Sequence, residues 1–343
     1  MKVAVVILNW NGKNFLEKFL PSVVTCNSSY SEIFVADNAS TDDSIFFLKN
    51  NYPDIKIIQN SINGGFAKGY NDALEHVKAE YYVLLNSDVE VTPCWIDPII
   101  QLMDSDTSIA ACQPKIKAYN NKTYFEYAGA AGGFIDKYGY PFCRGRILEK
   151  IEEDEGQYND VREIFWATGA CLFVRADCYH KVKGFDEDFF AHMEEIDLCW
   201  RLKNTGYKIM YCPDSTVYHV GGGTLNKTSP RKTFLNFRNN LILICKNHPP
   251  KFFLSKLLNR MLLDGIAGLK FLFSGQFPHF IAVIKAHYSF YRSFGKTFEK
   301  RKSLKKQVFK YTISAVYLHS IVIDFYIRGN KTFKEIDFKN RFM

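Results

Sequence analysis

The apolar run Tyr81–Leu85 (YYVLL) ends on Asn86-Ser87-Asp88, with Glu90 two residues further on. A carboxylate just past such a run suits Mg²⁺ or Mn²⁺, hard cations that take oxygen ligands and usually hold substrate phosphates as well. Asp37 closes a second run, in VADNAS. There it can accept hydrogen bonds from a nucleotide, although capping the next helix is the simpler use. Glu194, Glu195 and Asp197 crowd into HMEEIDLCWR. A helix dipole alone accounts for acids at a helix start; the chemical use is a general base that deprotonates a hydroxyl. His219 stands just before three glycines, where a histidine can serve as a metal ligand. Other chemistries lack their motifs. NWNGKN, not G-x-G-x-x-G, follows the first strand, and GGFAKG at Gly64–Gly69 is misplaced and misspaced. No phosphate-binding loop of the G-x-x-x-x-G-K-[ST] type and no G-x-S-x-G elbow occur.

Strand and helix signals that alternate would position these groups. Val3–Leu8, Glu32–Ala36, Ile55–Ile58 and Tyr81–Leu85 read as strands; the helices fall around Phe15–Leu20, Asp42–Asn50 and Phe66–Val77. That order predicts an α/β fold, a mostly parallel sheet flanked by helices. Ligands then bind at the carboxyl ends of the strands, where Asn9, Asp37 and Asp88 fall. Tyr119–Gly145 reads as loops and short antiparallel strands, a flap. Ile164–Val174 reads as a strand pair around Thr168–Ala170. Glu194–Asn204 reads as a helix, and Lys208–Tyr211 and Thr216–Val220 as late strands.

The 343 residues are 47% hydrophobic, enough for a sizeable core, and this excludes wholesale disorder. Nine scattered cysteines without a C-x-x-C pair predict reduced thiols in a cytoplasmic protein. The net charge of +8 is divided unevenly. Residues 226–343 hold 23 Lys+Arg against 5 Asp+Glu, a net of +18, whereas the rest of the chain carries −10. Two regions are therefore expected, 1–230 and 231–343. No apolar stretch in the second reaches the ~18 residues of a membrane span. Leu257–Phe273 and Tyr311–Ile327 instead predict amphipathic helices, on a membrane or against the first region.

The ordered set VVILNWNG, VADNASTDDS, NGGFAKGYNDAL, LLNSDVE, TGACLFVRADCYHKVKGFDEDFF, HMEEIDLCWR and YHVGGGT resembles the family 2 inverting glycosyltransferases, in particular their bacterial rhamnosyltransferase-like branch. The likeness covers about Lys2 to Lys246. It implies a GT-A fold and a nucleotide-sugar donor, a UDP- or dTDP-sugar. It also implies transfer to a hydroxyl of a glycan or lipid-linked saccharide in cell-surface polysaccharide synthesis. By position, Asp37 matches the base-binding aspartate, Asn9 and Asn11 the first nucleotide loop, and Gly65 and Asn71 the segment beneath the donor. Asp88 ends a D-x-D-like metal motif whose first place is held by Asn86. The base falls on Glu195, with Glu194 its rival. His219 matches a late histidine near metal and pyrophosphate. Trp166, Thr168, Gly169 and Ala170 match the acceptor side.

A nucleotide-sugar pyrophosphorylase would need a glycine-rich basic loop after the first strand, and LNWNGKN is not one. A non-catalytic nucleotide-sugar-binding protein at the membrane would not need Asp88, Glu195 and His219 together. No nucleic-acid module is recognisable, so nucleic acid is not an expected partner. For the basic tail the expectation is docking on an anionic membrane surface, the inner face of the cell membrane. Lys300–Lys302, Lys305 and Lys306 would supply charge, and Phe271, Phe273, Phe277, Phe280, Tyr288, Phe290, Tyr291 and Phe294 the anchors. The other expectation is a homodimer through the same region.

Overall fold

A computed structural model describes residues 1–221, 229–251, 253–311 and 314–336. Gly222, Gly223 and Thr312, which the sequence reading includes, lie outside them.

The first stretch runs β1 (Val3–Asn9), α1 (Lys13–Thr25), β2 (Ser31–Asp37), α2 (Ser44–Asn51), β3 (Lys56–Gln59), α3 (Gly65–Leu74) and β4 (Tyr81–Asn86). Strand β1 is apolar at nearly every position because both of its faces are covered. Ala4 and Val6 enter one core, and Val3, Val5 and Ile7 the other. Then follow β5 (Val89–Val91), α4 (Asp97–Ser105), β6 (Ile109–Ala118), β7 (Asn121–Phe125), β8 (Gly133–Asp136), β9 (Pro141–Cys143), β10 (Arg146–Ile147) and β11 (Lys150–Ile151). The first region closes with β12 (Arg162–Ile164), β13 (Cys171–Arg175), α5 (Ala176–Lys181), α6 (Glu194–Asn204) and β14 (Lys208–His219).

The main sheet has the order β12-β14-β6-β13-β4-β1-β2-β3. Its β4-β1-β2-β3 part is parallel, while β13 enters antiparallel between β4 and β6. Register sets the site: Asn9 lies opposite Asp37, and Leu8 opposite Asn86, at one end of the sheet.

Three expectations are corrected. The Tyr119–Gly145 flap is a packed layer: β8 to β11 form a second sheet whose Phe134 and Phe142 are fully buried. The two late strands are a single strand, β14, with an irregularity between Cys212 and Thr216. Tyr311–Ile327 is not one amphipathic helix. It yields β15 (Val316–Tyr317), which pairs parallel with β8, and after it the short α10 (Ile321–Tyr326).

The basic region contributes α7 (Pro230–Asn247), α8 (Phe253–Phe273) and α9 (Phe277–Lys305). Helix α7 packs into the first region. Leu241, Leu243 and Cys245 share a core with Phe165 and Trp200, as do Phe290 and Tyr317. Charge explains the join. Lys246 pairs with Asp186 and lies 2.8 Å from Asp197; Lys296 and Lys300 each lie 2.6 Å from Asp188 carboxylate oxygens. The acids of the first region thus meet bases of the second. Lys300 and Arg301, expected to face a membrane, are held within the fold: Lys300 by Asp186 and Asp188, Arg301 by the Cys245 carbonyl at 2.9 Å. Phe290 is fully buried and cannot be an anchor. All nine cysteines are free thiols.

Candidate active site

At the carboxyl end of β1, the buried Asn9 amide donates to Asp37 Oδ1 (3.1 Å) and Ser40 Oγ (3.2 Å). Asp37 Oδ2 accepts from the Ser40 backbone N–H at 3.0 Å. Asn11, in the left-handed region at φ 49°, ties the same two loops together. Its N–H donates to Ser40 Oγ at 2.9 Å, and its Oδ1 accepts from Thr41 N at 2.7 Å. Asn9 Oδ1 is buried without a partner.

Gly65 opens α3 at φ +81°, and a Cβ there would lie 2.3 Å from the Phe190 carbonyl oxygen. Phe66 N donates to that same oxygen at 3.0 Å. The start of α3 is therefore locked to the loop that leads into α6. Asn71 is spent on the fold and not turned toward the sheet end. Its Nδ2 donates to the Phe185 carbonyl (3.0 Å), and its Oδ1 accepts from Tyr179 OH (2.7 Å) and Phe185 N (3.0 Å).

Beyond β4, Asp88 is buried and its Oδ1 lies 3.2 Å from His219 Nε2. Strand β5 pairs with β14 to bring them together, Val89 opposite His219. On the other side of the ring, His219 Nδ1 lies 3.4 Å from Oε2 of Glu126, which is also buried. Burial pulls the imidazole pKa down, but the Glu126 and Asp88 carboxylates outweigh it and hold the ring protonated up to about 10. Burial would raise Asp88; the charge and hydrogen bond of His219 bring it below the usual carboxylate range. A divalent cation would replace that proton, because a ligating imidazole is neutral, and the two carboxylates would answer its charge. Asp88 and His219 put an oxygen and a nitrogen donor side by side, 3.2 Å apart. Among the described residues no cluster of three His, Cys, Asp or Glu could hold a metal ion. Asp88 and His219 would leave the remaining positions to water and ligand phosphates, the habit of Mg²⁺ and Mn²⁺. The residues thus fit such an ion.

Glu194 and Glu195 begin α6, and each has a buried Oε2 without a partner. Burial, then the Glu195 charge, pushes Glu194 well above the ordinary range; burial raises Glu195 to about 7. Asp197 goes the other way: burial would raise it, but Lys246 and Arg201, each 2.8 Å away, bring it down. The three acids divide into a structural anion and a pair poised to carry a proton. His192 and Met193, just before the pair, both adopt positive φ, 70° and 76°. Such backbone costs of order 1–3 kcal/mol per residue and persists only when held. Asn239 of α7 holds it, its amide donating to the carbonyls of Ala191 (2.9 Å) and His192 (2.8 Å).

The segment expected on the acceptor side, Trp166–Ala170, splits. Ala170 O accepts from Asn86 N at 3.0 Å, so Thr168–Ala170 borders the end of β4, with Gly169 against Phe66. Trp166 does not reach a ligand surface. Its ring covers Gly133, where a Cβ would lie 2.2 Å away, and its Nε1 donates to the Phe134 carbonyl at 2.9 Å. The sequence reading missed Glu126 and Asn239. Glu126 lies in the stretch read as a flap, where an acid amid FEYAG is its only signal; Asn239 carries none.

The model of glycosyl transferase family 2 matches residues 4–182. The chain is 24% identical over 264 residues to N-acetylglucosaminyl-diphospho-decaprenol L-rhamnosyltransferase of Mycobacterium tuberculosis, covering 71% of this chain and 84% of that protein. It is 26% identical over 234 residues to rhamnosyltransferase WbbL of Escherichia coli K12, covering 63% and 83%. Among solved structures it is similar to residues 1–349 of S. aureus TarS in complex with UDP-GlcNAc, with a TM-score of 0.54, 16% identity, and 89% and 91% of the two chains covered. GalNAc-T7 with UDP, GalNAc and Mn²⁺ gives a TM-score of 0.53 at 17% identity, covering 64% of this chain and 43% of that one. The structural likenesses agree with the GT-A architecture.

Proposed function

This chain belongs to glycosyl transferase family 2, and from that premise we propose that it moves a hexosyl or deoxyhexosyl group, inverting the anomeric carbon, from a UDP- or dTDP-sugar to a hydroxyl of a lipid-linked saccharide. It is an enzyme, a glycosyltransferase that uses a nucleotide sugar. The acceptor reading draws on the decaprenol-linked substrate in the name of the M. tuberculosis relative and on that protein's place among rhamnosyltransferases. It puts the work at the inner face of the cell membrane, in polysaccharide synthesis.

The observation that carries the reaction is the opposition of Asp88 and His219 at 3.2 Å next to the end of β4. The donor's nucleoside would lie along Asn9, Asn11 and Asp37, with Gly65 beneath it. A bound Mg²⁺ or Mn²⁺ would neutralise charge on the departing diphosphate; GalNAc-T7 was solved with Mn²⁺. Asp88 and His219 would hold that ion, and Glu126 would fix the imidazole from behind. Glu195 takes the acceptor proton. Thr168–Ala170 borders the acceptor path. A screen of UDP- and dTDP-sugars with Mg²⁺ or Mn²⁺ should find one donor whose slow hydrolysis releases the nucleoside diphosphate. No binding or turnover with any of them overturns the reading.

The clamp from α7 gives a further expected outcome. Asn239→Ala orphans two carbonyls and frees the strained turn ahead of the base. Misplacement of a reacting group costs up to about 10²-fold, so kcat should fall by about 10- to 100-fold. Donor KM should barely move, and the acid limb of the pH profile should shift. A loss of thermal stability with an unchanged profile would leave Asn239 a structural residue only.

A further inference from the structure

Helix α8 presents Leu254, Leu258, Leu262, Ile266, Leu269 and Phe273 outward, between 48% and 83% exposed. Their spacing of three and four residues puts them on one face. The opposite face, with Leu257, Arg260, Asp264 and Gly268, is the one buried in the protein. After a turn at Gly275, α9 continues the surface with Phe277, Ile284, Tyr288 and Tyr291, each more than half exposed. Charge on this hairpin is one-sided. Between Phe253 and Phe298 the only carboxylate is Asp264, which is fully buried against Arg260 at 2.7 Å. Lys270, Lys285 and Arg292 are exposed on the same two helices.

We propose that this outer face of the α8–α9 hairpin is the surface by which the enzyme lies on a bilayer rich in anionic phospholipid. An interfacial helix needs an apolar face at the acyl boundary with cations beside it, and α8 and α9 meet both needs. No helix among the described residues is long and apolar enough to cross a membrane, so the hairpin lies on the surface. Phe273 and Phe277 flank the turn and enter first. A second copy fits worse: a two-fold contact would set Lys270, Lys285 and Arg292 near their own copies with no exposed acid to answer them. The inference locates the docking on α8 and the first half of α9. The Lys300–Lys302 cluster is not the contact, because Lys300 and Arg301 are engaged in the fold and Lys302 pairs with Glu299 at 2.8 Å. For its purpose, though not its evidence, it rests on the lipid-linked acceptor proposed above.

The test is flotation of the full chain with vesicles of phosphatidylcholine alone, or with 30% phosphatidylglycerol (roughly the anionic share that gives a strong surface potential), at low and high salt. Binding should require phosphatidylglycerol and weaken with salt. Lys285→Gln with Arg292→Gln should reduce partitioning on the order of thirtyfold, at about 1 kcal/mol per charge. Leu262→Gln with Ile266→Gln should reduce it at least about tenfold, and Phe273→Ser with Phe277→Ser, at the exposed turn, is the milder second variant. Donor hydrolysis in solution should be unchanged in all three. Failure of the wild type to bind anionic vesicles overturns the proposal, as does equal binding by wild type and every variant. A concentration-dependent dimer lost in the same variants, without vesicle binding, assigns the face to self-association and overturns it too. Vesicle binding without any donor turnover leaves the surface standing and defeats the function proposed above.

Discussion

Asp88→Ala is expected to lower kcat by about 10²–10³-fold, the 2.7–4 kcal/mol typical of removing one electrostatic stabiliser from a transition state. Asp88 faces His219 Nε2 at 3.2 Å, at the sheet end where the diphosphate would leave. Its loss also removes one of the two anions that fix the imidazole and leaves Glu126 alone on Nδ1, at 3.4 Å. Asp88→Asn keeps the size and loses the charge, so it should fall nearly as far. Titration of Mn²⁺ by calorimetry in the presence of the nucleoside diphosphate supplies a second reading, in which affinity should drop with the rate. Undiminished turnover in Asp88→Ala, or full activity in excess EDTA, would remove both the residue and the cation from the reaction.

What was legible from sequence is what is local. The apolar runs of β1, β2 and β4 mark strands buried on both faces, and the polar residues that end them, Asn9, Asp37 and Asn86, fall together because parallel register aligns those ends. Helix α6 spans Glu194–Asn204 as its pattern of acids and apolar residues predicts. Contacts across long separations left no such mark. Glu126 reaches His219 from a strand end 93 positions away, and neither neighbourhood announces the other. Asn239 bonds the turn before Glu194 across 47 and 48 positions.

The errors have a common physical source: a side chain's type does not say whether its partner lies in water or in the protein. Lys300 reads as a membrane-facing cation until Asp186 and Asp188 fold back onto it. Trp166 reads as part of the acceptor side until its ring is seen to cover Gly133 of the second sheet. Asn71 reads as a ligand contact, and each of its polar atoms already has a partner near Phe185. The charge asymmetry along the chain suggested two partners. Part of it is internal, where Lys246, Lys296 and Lys300 meet Asp186, Asp188 and Asp197. On α8 and α9, Lys270, Lys285 and Arg292 stay exposed.

Glu195→Gln should lower kcat by about 10²–10⁴-fold, the usual contribution of a positioned base, with donor binding largely intact. The choice between the two glutamates follows from their surroundings. Both are pushed up by burial, but Glu194 is the more deeply buried and feels the Glu195 charge as well. The proton therefore leaves Glu195 first, at about 7, and Glu194 stays protonated beside it. The sign of the pH dependence follows. The base works deprotonated, so kcat/KM should rise with pH through about 7 and fall about tenfold per unit below it. Glu195→Gln should abolish that acid limb along with the rate. Glu194→Gln replaces a neutral acid with a neutral amide, so it should keep most of kcat and retain the limb. If Glu194→Gln loses the rate and the limb while Glu195→Gln keeps them, the two residues exchange roles. A normal acid limb in both variants would place the base outside α6 altogether.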